Sequence, residues 1–151
     1  MKLGCWNAAE AATQDFQRIV NIVASELELK ELDVMGICEA NVYPNTVTSC
    51  LKIPGYSLEV GNGVKKDTGA NARVICYVSD TVEYKRRSDL EARNPMPAIW
   101  LEIGSMKKTR FIFGVVYREH KSWRGHAEEQ RLSSQQEMER VAQQLPRFVG
   151  R

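Results

Sequence analysis

The order of elements at the start of the chain most constrains its fold. Residues 2–7 predict a short strand, and the nearly uninterrupted apolar run at residues 32–38 predicts a fully buried one. Between them, residues 11–29 predict a helix, because one apolar stripe recurs at helical spacing: Phe16, Ile19, Val20, Val23 and Leu27. A strand, a helix and a buried strand in this order predict a layered α/β (α+β) domain.

The middle of the chain predicts mostly strands. Turn residues such as Pro54 and Gly55 bracket the first of them, and the predicted strands are residues 56–60, 72–79, 98–103 and 109–117. Residues 41–45 predict a loop. Two hairpins are expected, one joining residues 81–84 to the strand at 72–79 and one joining the last two strands.

The end of the chain carries a second helical pattern. Ser133 and Gln136 have capping-box spacing, and Ser134 and Glu137 form a competing pair with the same spacing. An apolar stripe extends from there to Leu145, which predicts a helix over residues 133–145. Pro146 ends that pattern. Residues 148–150 resemble the first residues of a further strand, so we expect the domain to be cut there.

Composition excludes several classes of protein. With 151 residues, 43% of them hydrophobic, the chain fits one globular domain and is too apolar for a disordered protein. No apolar run approaches the ~20 residues of a membrane span, and the N-terminus lacks a secretory signal, so no membrane partner is predicted. The net charge of +2 is not that of a dedicated nucleic-acid binder, although an enzyme could still touch DNA through one face.

The cysteines and the short basic clusters are assigned structural roles. Four cysteines without C-x-x-C spacing argue against a zinc site. Cys5, Cys38 and Cys76 lie in apolar strand-like runs and are predicted to be buried in a protein of the reducing intracellular environment. The basic cluster at residues 85–87 is predicted to be a solvated strand end rather than a phosphate clamp.

Polar side chains at three predicted strand ends are the candidates for chemistry. Asn7, Glu39 and Tyr117 end the first, second and last of these strands, and such ends converge on one crevice of an α/β sheet. A carboxylate beside an amide suits Mg²⁺, which binds oxygen ligands and stabilises charge on a phosphoryl group. Tyr117 could hydrogen-bond a phosphate. The alternative is that these residues merely end strands, as polar residues do in any soluble sheet.

Other catalytic arrangements lack support in the sequence. His120 and His126 lie in a charged stretch without a placed carboxylate and are predicted to be surface residues. No P-loop, nucleophile elbow or dinucleotide fingerprint occurs.

Five segments in order resemble the endonuclease/exonuclease/phosphatase superfamily, which has the DNase I-like fold. Within that superfamily, the segments most resemble the endonuclease domain of non-LTR (LINE-type) retrotransposon proteins. These segments are LGCWN at residues 3–7, LDVMGICE at 32–39, GANARVICYV at 69–78, AIWLEI at 98–103 and GVVYR at 114–118. The resemblance implies a four-layer α/β sandwich and makes residues 1–151 a single domain of this type.

The resemblance also implies a function. Asn7 matches the family's active-site asparagine, Glu39 its metal-binding glutamate and Tyr117 its phosphate-contacting tyrosine. The implied activity is Mg²⁺- or Mn²⁺-dependent hydrolysis of DNA phosphodiesters, with nicking of target DNA, and the implied location for a retroelement product is the nucleus. A phosphatase or an abasic-site repair enzyme of the same superfamily is an alternative.

The chain departs from the family where later catalytic residues are expected. The family continues with a "GDFN" strand and a later Asp and His, whereas residues 148–151 read FVGR. We therefore expect only the N-terminal portion of the fold, with its C-terminal part missing. The first sheet would lack its cover, which predicts self-association or a missing partner half. A catalytically inactive remnant acting as a binding module is the competing interpretation.

Overall fold

A computed structural model shows a mixed α/β fold in which two sheets pack face to face. The structure describes residues 1–8, 16–43, 48–66, 69–91, 96–104, 109–118 and 139. Apart from Glu139, the predicted helix at 133–145 lies outside these residues, as do the predicted strand at 148–150 and the two histidines. Within the described ranges, no helix has the length and apolarity needed to cross a membrane.

Within the described residues, the first sheet has five strands and the second has three. The first sheet contains β1 (Leu3–Asn7), β2 (Val34–Val42), β3 (Tyr56–Val60), β4 (Gly63–Lys66) and β5 (Gly69–Ser79). Its strand order is β1-β2-β5-β3, and β4 also pairs with β5. The second sheet contains β6 (Tyr84–Arg86), β7 (Ala98–Ile103) and β8 (Phe111–Val116), which pair in that order. Among the described strands, only β1 and β2 pair in parallel, and the other strand pairs are antiparallel.

The helix predicted first in the chain covers one face of the first sheet. It is α1 (Phe16–Lys30), and the stripe residues Ile19, Val20, Val23 and Leu27 are buried, as predicted. They pack in one core with residues of β2 and β5, including Ile37 and Tyr77. A 3-10 turn (Thr48–Leu51) and a short helix, α2 (Ser88–Glu91), complete the described helical segments.

The second sheet covers the other face of the first sheet. Val74, Cys76 and Val78 of β5 share a core with residues of β7 and with Val115 of β8. The expectation that the first sheet would lack its cover is therefore wrong over β2 and β5. The physical reason is that the predicted hairpin at 98–117 forms and buries its own apolar face there.

The edge strand β1 remains outside this cover. Its residues Leu3, Cys5 and Asn7 pair with β2 residues that face the second sheet, yet all three are exposed. The prediction that Cys5 is buried is therefore wrong, because the described strands of the second sheet do not extend over β1. Cys76 is buried, as predicted, and Cys38 is half-buried.

Three other predictions need correction. Residues 81–84 do not pair with β5, because β2 and β3 already occupy its two edges; the chain crosses instead to β6, which pairs with β7. Strand β2 continues into the first two residues of the predicted loop at 41–45 and ends at Val42, after a shift in register. The predicted solvated basic cluster is exposed only at Lys85, since Arg86 and Arg87 form ion pairs.

Arg86 joins the two sheets at the edge formed by β3 and β6. Its guanidinium lies 3.0 Å from the Glu59 carboxylate of β3 and donates through Nε and Nη2 to the carboxylate of Glu91 on α2. Tyr84 also donates to Glu59, at 2.8 Å. Glu59 therefore accepts hydrogen bonds from two residues of the second sheet, which fixes one sheet against the other.

Candidate active site at the ends of strands β2 and β8

The structure brings Asn7 and Glu39 together. Asn7 is the last residue of β1, and its Nδ2 donates a hydrogen bond to Glu39 Oε1 at 3.0 Å. The parallel register places Asn7 opposite Cys38, one residue before Glu39. The prediction that Asn7 and Glu39 come together is confirmed, although Glu39 lies within β2 and not at its end. The catalytic roles of the two residues stay predictions.

The backbone of β2 is unusual where it carries Glu39. Glu39 and Asn41 both have left-handed conformations, with φ of 57° and 51°. For a non-glycine residue such a conformation costs on the order of 1–3 kcal/mol, least for asparagine, and it is common near functional sites. The strand shifts register between Cys38 and Val42, as in a bulge, and this changes the direction of the side chains between them.

Tyr117 directly follows β8 and is held by a buried arginine. The Nη2 of Arg73, on β5, donates to the Tyr117 hydroxyl at 2.7 Å, and the guanidinium carbon lies 4.5 Å from the centre of the tyrosine ring. Arg73 also donates through Nη1 to Oδ1 of Asn41. Arg73 is only 6% exposed and Asn41 only 2%. Arginine thus joins the tyrosine to the unusual segment of β2.

A contact between the residues that precede Glu39 and Tyr117 places both at the same end of the sandwich. The thiol of Cys38 donates to the carbonyl of Val116 at 3.7 Å, so the residues just before Glu39 and Tyr117 touch. The Tyr117 amide donates to the Pro97 carbonyl at 2.9 Å, which fixes the chain as it leaves β8. The three predicted residues therefore converge on one region formed by strands of both sheets.

The thiol of Cys38 is not suited to nucleophilic catalysis. Burial, together with the smaller effects of the neighbouring Cys5 and Glu39, raises its pKa to about 11. A thiol with that pKa stays protonated near neutral pH and is a poor nucleophile. The contact with Val116 gives Cys38 a structural role between the sheets.

The donor set at this site fits a hard divalent ion with few protein ligands. Glu39 supplies a carboxylate, and Asn7 supplies an amide that already binds one of its oxygens. In the described part of the chain, no group of three or more His, Cys, Asp or Glu residues could hold a metal. Oxygen donors of this kind suit Mg²⁺, which keeps several waters and commonly binds one or two carboxylates together with substrate phosphate.

Sequence reasoning missed Arg73 and Asn41. Arg73 occupies a position inside a strand whose following residues are apolar and buried, and a charge there is unusual unless it is paired. That signal could have marked Arg73 as a buried functional or structural group. Its partners lie 32 and 44 residues away in sequence, and no local pattern connects them.

Comparison with known proteins supports the fold but not a family. No protein family model matches the chain, and no curated protein matches it. Among solved structures, the fold is similar to the mannosyl-6-phosphatase of Bacteroides thetaiotaomicron, with a TM-score of 0.54 and 14% identity. The match covers 95% of this chain and 61% of that protein, so this chain spans about three fifths of its length.

The predicted class of fold is thereby confirmed. The chain is a mixed α/β sandwich of two sheets, and a phosphatase shares this architecture. At 14% identity the similarity concerns the fold alone.

Proposed function

We propose that this chain carries a divalent-metal-dependent phosphoesterase site that acts on the phosphodiester backbone of DNA, as an endonuclease of the retrotransposon type. The observation that carries the proposal is the convergence of Asn7, Glu39 and Tyr117 at one end of a sandwich whose fold a phosphatase shares. The motif resemblance supports the choice of DNA as the substrate.

The residues have distinct proposed roles. Glu39 binds the metal ion through its carboxylate, and the Asn7 amide orients that carboxylate by donating to Oε1. Tyr117 donates a hydrogen bond through its hydroxyl group to a phosphate oxygen. When bound, a divalent ion supplies electrostatic stabilisation of the charge that develops on the phosphate.

A second candidate is hydrolysis of phosphomonoesters. The observation in its favour is that the structural neighbour is a mannosyl-6-phosphatase. The same metal, carboxylate and phosphate-binding tyrosine would serve either reaction.

The first experiment is Mg²⁺-dependent nicking of supercoiled plasmid by the purified chain, with Glu39→Gln as the test variant. We expect nicking by the unaltered chain and a loss of about 10²-fold or more in Glu39→Gln, because the variant removes the carboxylate charge. Glu28→Gln makes the same chemical change at an exposed position of α1 and should leave nicking unchanged.

Substrate class is tested with two chromogenic compounds. Bis(p-nitrophenyl) phosphate is a diester, and p-nitrophenyl phosphate is a monoester with the same leaving group. Preference for the diester supports the endonuclease, whereas preference for the monoester selects the phosphatase. A folded chain that hydrolyses neither compound and does not nick DNA contradicts both and favours a non-catalytic binding module.

A further inference from the structure

The buried guanidinium of Arg73 determines what the Tyr117 hydroxyl can do. A phenolic hydroxyl has one proton to donate and lone pairs that accept. Arg73 Nη2 donates to it at 2.7 Å, and a guanidinium has no acceptor atom. The Tyr117 proton therefore cannot be directed at Arg73 and is available to another acceptor.

The surroundings of Arg73 hold this arrangement rigidly. One nitrogen donates to Tyr117 and another to Asn41, while the guanidinium stacks against the tyrosine ring with 4.5 Å between its carbon and the ring centre. Such two-fold donation together with stacking suits the planar fork of arginine and not a lysine ammonium. Packing that locks a side chain in this way prearranges a binding group.

Burial separates the role of Arg73 from that of Tyr117. Arg73 is 6% exposed, whereas Tyr117 is half-buried and follows the last described strand. A ligand at this end of the sandwich would meet the tyrosine hydroxyl rather than the guanidinium. An anion accepting that proton would also lie near the positive charge of Arg73, which strengthens the bond.

We propose that Arg73 is a positioning residue that makes Tyr117 a hydrogen-bond donor to a phosphate oxygen of the substrate. The inference rests on the proposed phosphoesterase function and adds a residue to its site. Asn41 belongs to the same unit, because its side chain accepts from Arg73 while its backbone lies in the unusual segment beside Glu39.

The test follows Tyr117 directly, without relying on catalysis. The chain is labelled with 3-fluorotyrosine and observed by ¹⁹F NMR, and the Tyr117 resonance is identified by its loss in Tyr117→Phe. Inorganic phosphate is titrated in the presence of Mg²⁺. We expect the Tyr117 resonance to shift with a saturable phosphate dependence in the unaltered chain.

Substitution of Arg73 should then weaken that response. In Arg73→Met we expect the apparent affinity for phosphate to fall about tenfold or more, and in Arg73→Lys by a smaller factor, because a charge remains without the fork. Arg87→Met is the matched control, because it makes the same chemical change away from Tyr117. Arg87 bonds to Glu102 of β7, whereas the residue before Tyr117, Val116, pairs with the other end of β7, at Ala98. The other four tyrosines report whether each variant is folded. If Arg73→Met does not fold, Arg73→Lys decides.

Each outcome bears on the inference separately from the proposed function. Phosphate shifts that are equal in Arg73 variants and in the unaltered chain, or no Tyr117 shift at all, overturn the inference even if DNA is nicked. An Arg73-dependent shift without nicking or hydrolysis upholds it while the catalytic proposal fails. If the unaltered chain nicks DNA, Arg73→Met should lower that nicking. In the Tyr117→Phe background, adding Arg73→Met should cause no further loss of nicking.

Discussion

The contact between the two sheets at Gly36 is tight enough to test the fold with a single methyl group. A Cβ atom added at Gly36 of β2 would lie 2.5 Å from Cγ2 of Val115 on β8 and 3.2 Å from its Cγ1. Ordinary carbon contacts are about 3.5–4.0 Å, so the deficit is about 1 Å. Val115 is β-branched and 3% exposed, and it has little freedom to rotate away.

We therefore expect Gly36→Ala to destabilise the protein by about 1–3 kcal/mol, the usual cost of overpacking a core. Val115→Ala alone should cost about 1.5–3 kcal/mol through lost burial. In the double variant the new methyl group occupies space that valine vacated. Its destabilisation should be smaller than the sum of the two single effects by about 1–2 kcal/mol.

Urea unfolding followed by circular dichroism measures these free energies, with an unchanged m-value expected. Gly4→Ala is the matched control on β1, because there the added Cβ would come too close only to the flexible end of Leu32, at 2.7 Å, and would lie at an ordinary contact distance of 3.7 Å from Met35. It should cost less than about 1 kcal/mol. Full stability of Gly36→Ala, or strict additivity in the double variant, would refute the reasoning that these two residues set the separation of the sheets.

Two further predictions concern buried polar groups. Burial raises the pKa of Tyr77 to about 12, so its neutral phenol stabilises the fold fully below pH 10 and this contribution disappears as the pH rises to 12. Over that window the free energy of unfolding should fall by about 2–3 kcal/mol more in the unaltered chain than in Tyr77→Phe, as measured by urea titration at each pH; parallel curves would contradict this. Arg86→Met should cost about 2–4 kcal/mol in the same assay, because it removes the positively charged partner of the Glu91 carboxylate, whose side chain is 3% exposed. Lys2→Met is the control, because the ion pair of Lys2 with Glu31 is exposed and its removal should have no measurable effect on stability. An equal loss of stability in both variants would contradict the assigned role of Arg86.

Local patterns in the sequence determined most of the elements. The helical stripe predicted α1, and the runs at 56–60 and 98–103 predicted β3 and β7 with the bounds that the structure has. These patterns work because helical and strand periodicities depend on residues a few positions apart. The same reasoning predicted that Asn7 and Glu39 meet, since parallel strands on either side of a helix bring their carboxyl ends together.

Tertiary structure decided which strands pair and what surrounds the site. Strand β6 pairs with β7 rather than β5 because β5 has both edges occupied, and Cys5 is exposed because the described second sheet does not extend over β1. The left-handed backbone at Glu39 and the bonds from Arg73 to Asn41 and Tyr117 also had no local signal. All of these depend on groups from distant parts of the chain competing for the same edges, space and hydrogen bonds, a competition that is settled only when the sheets pack together.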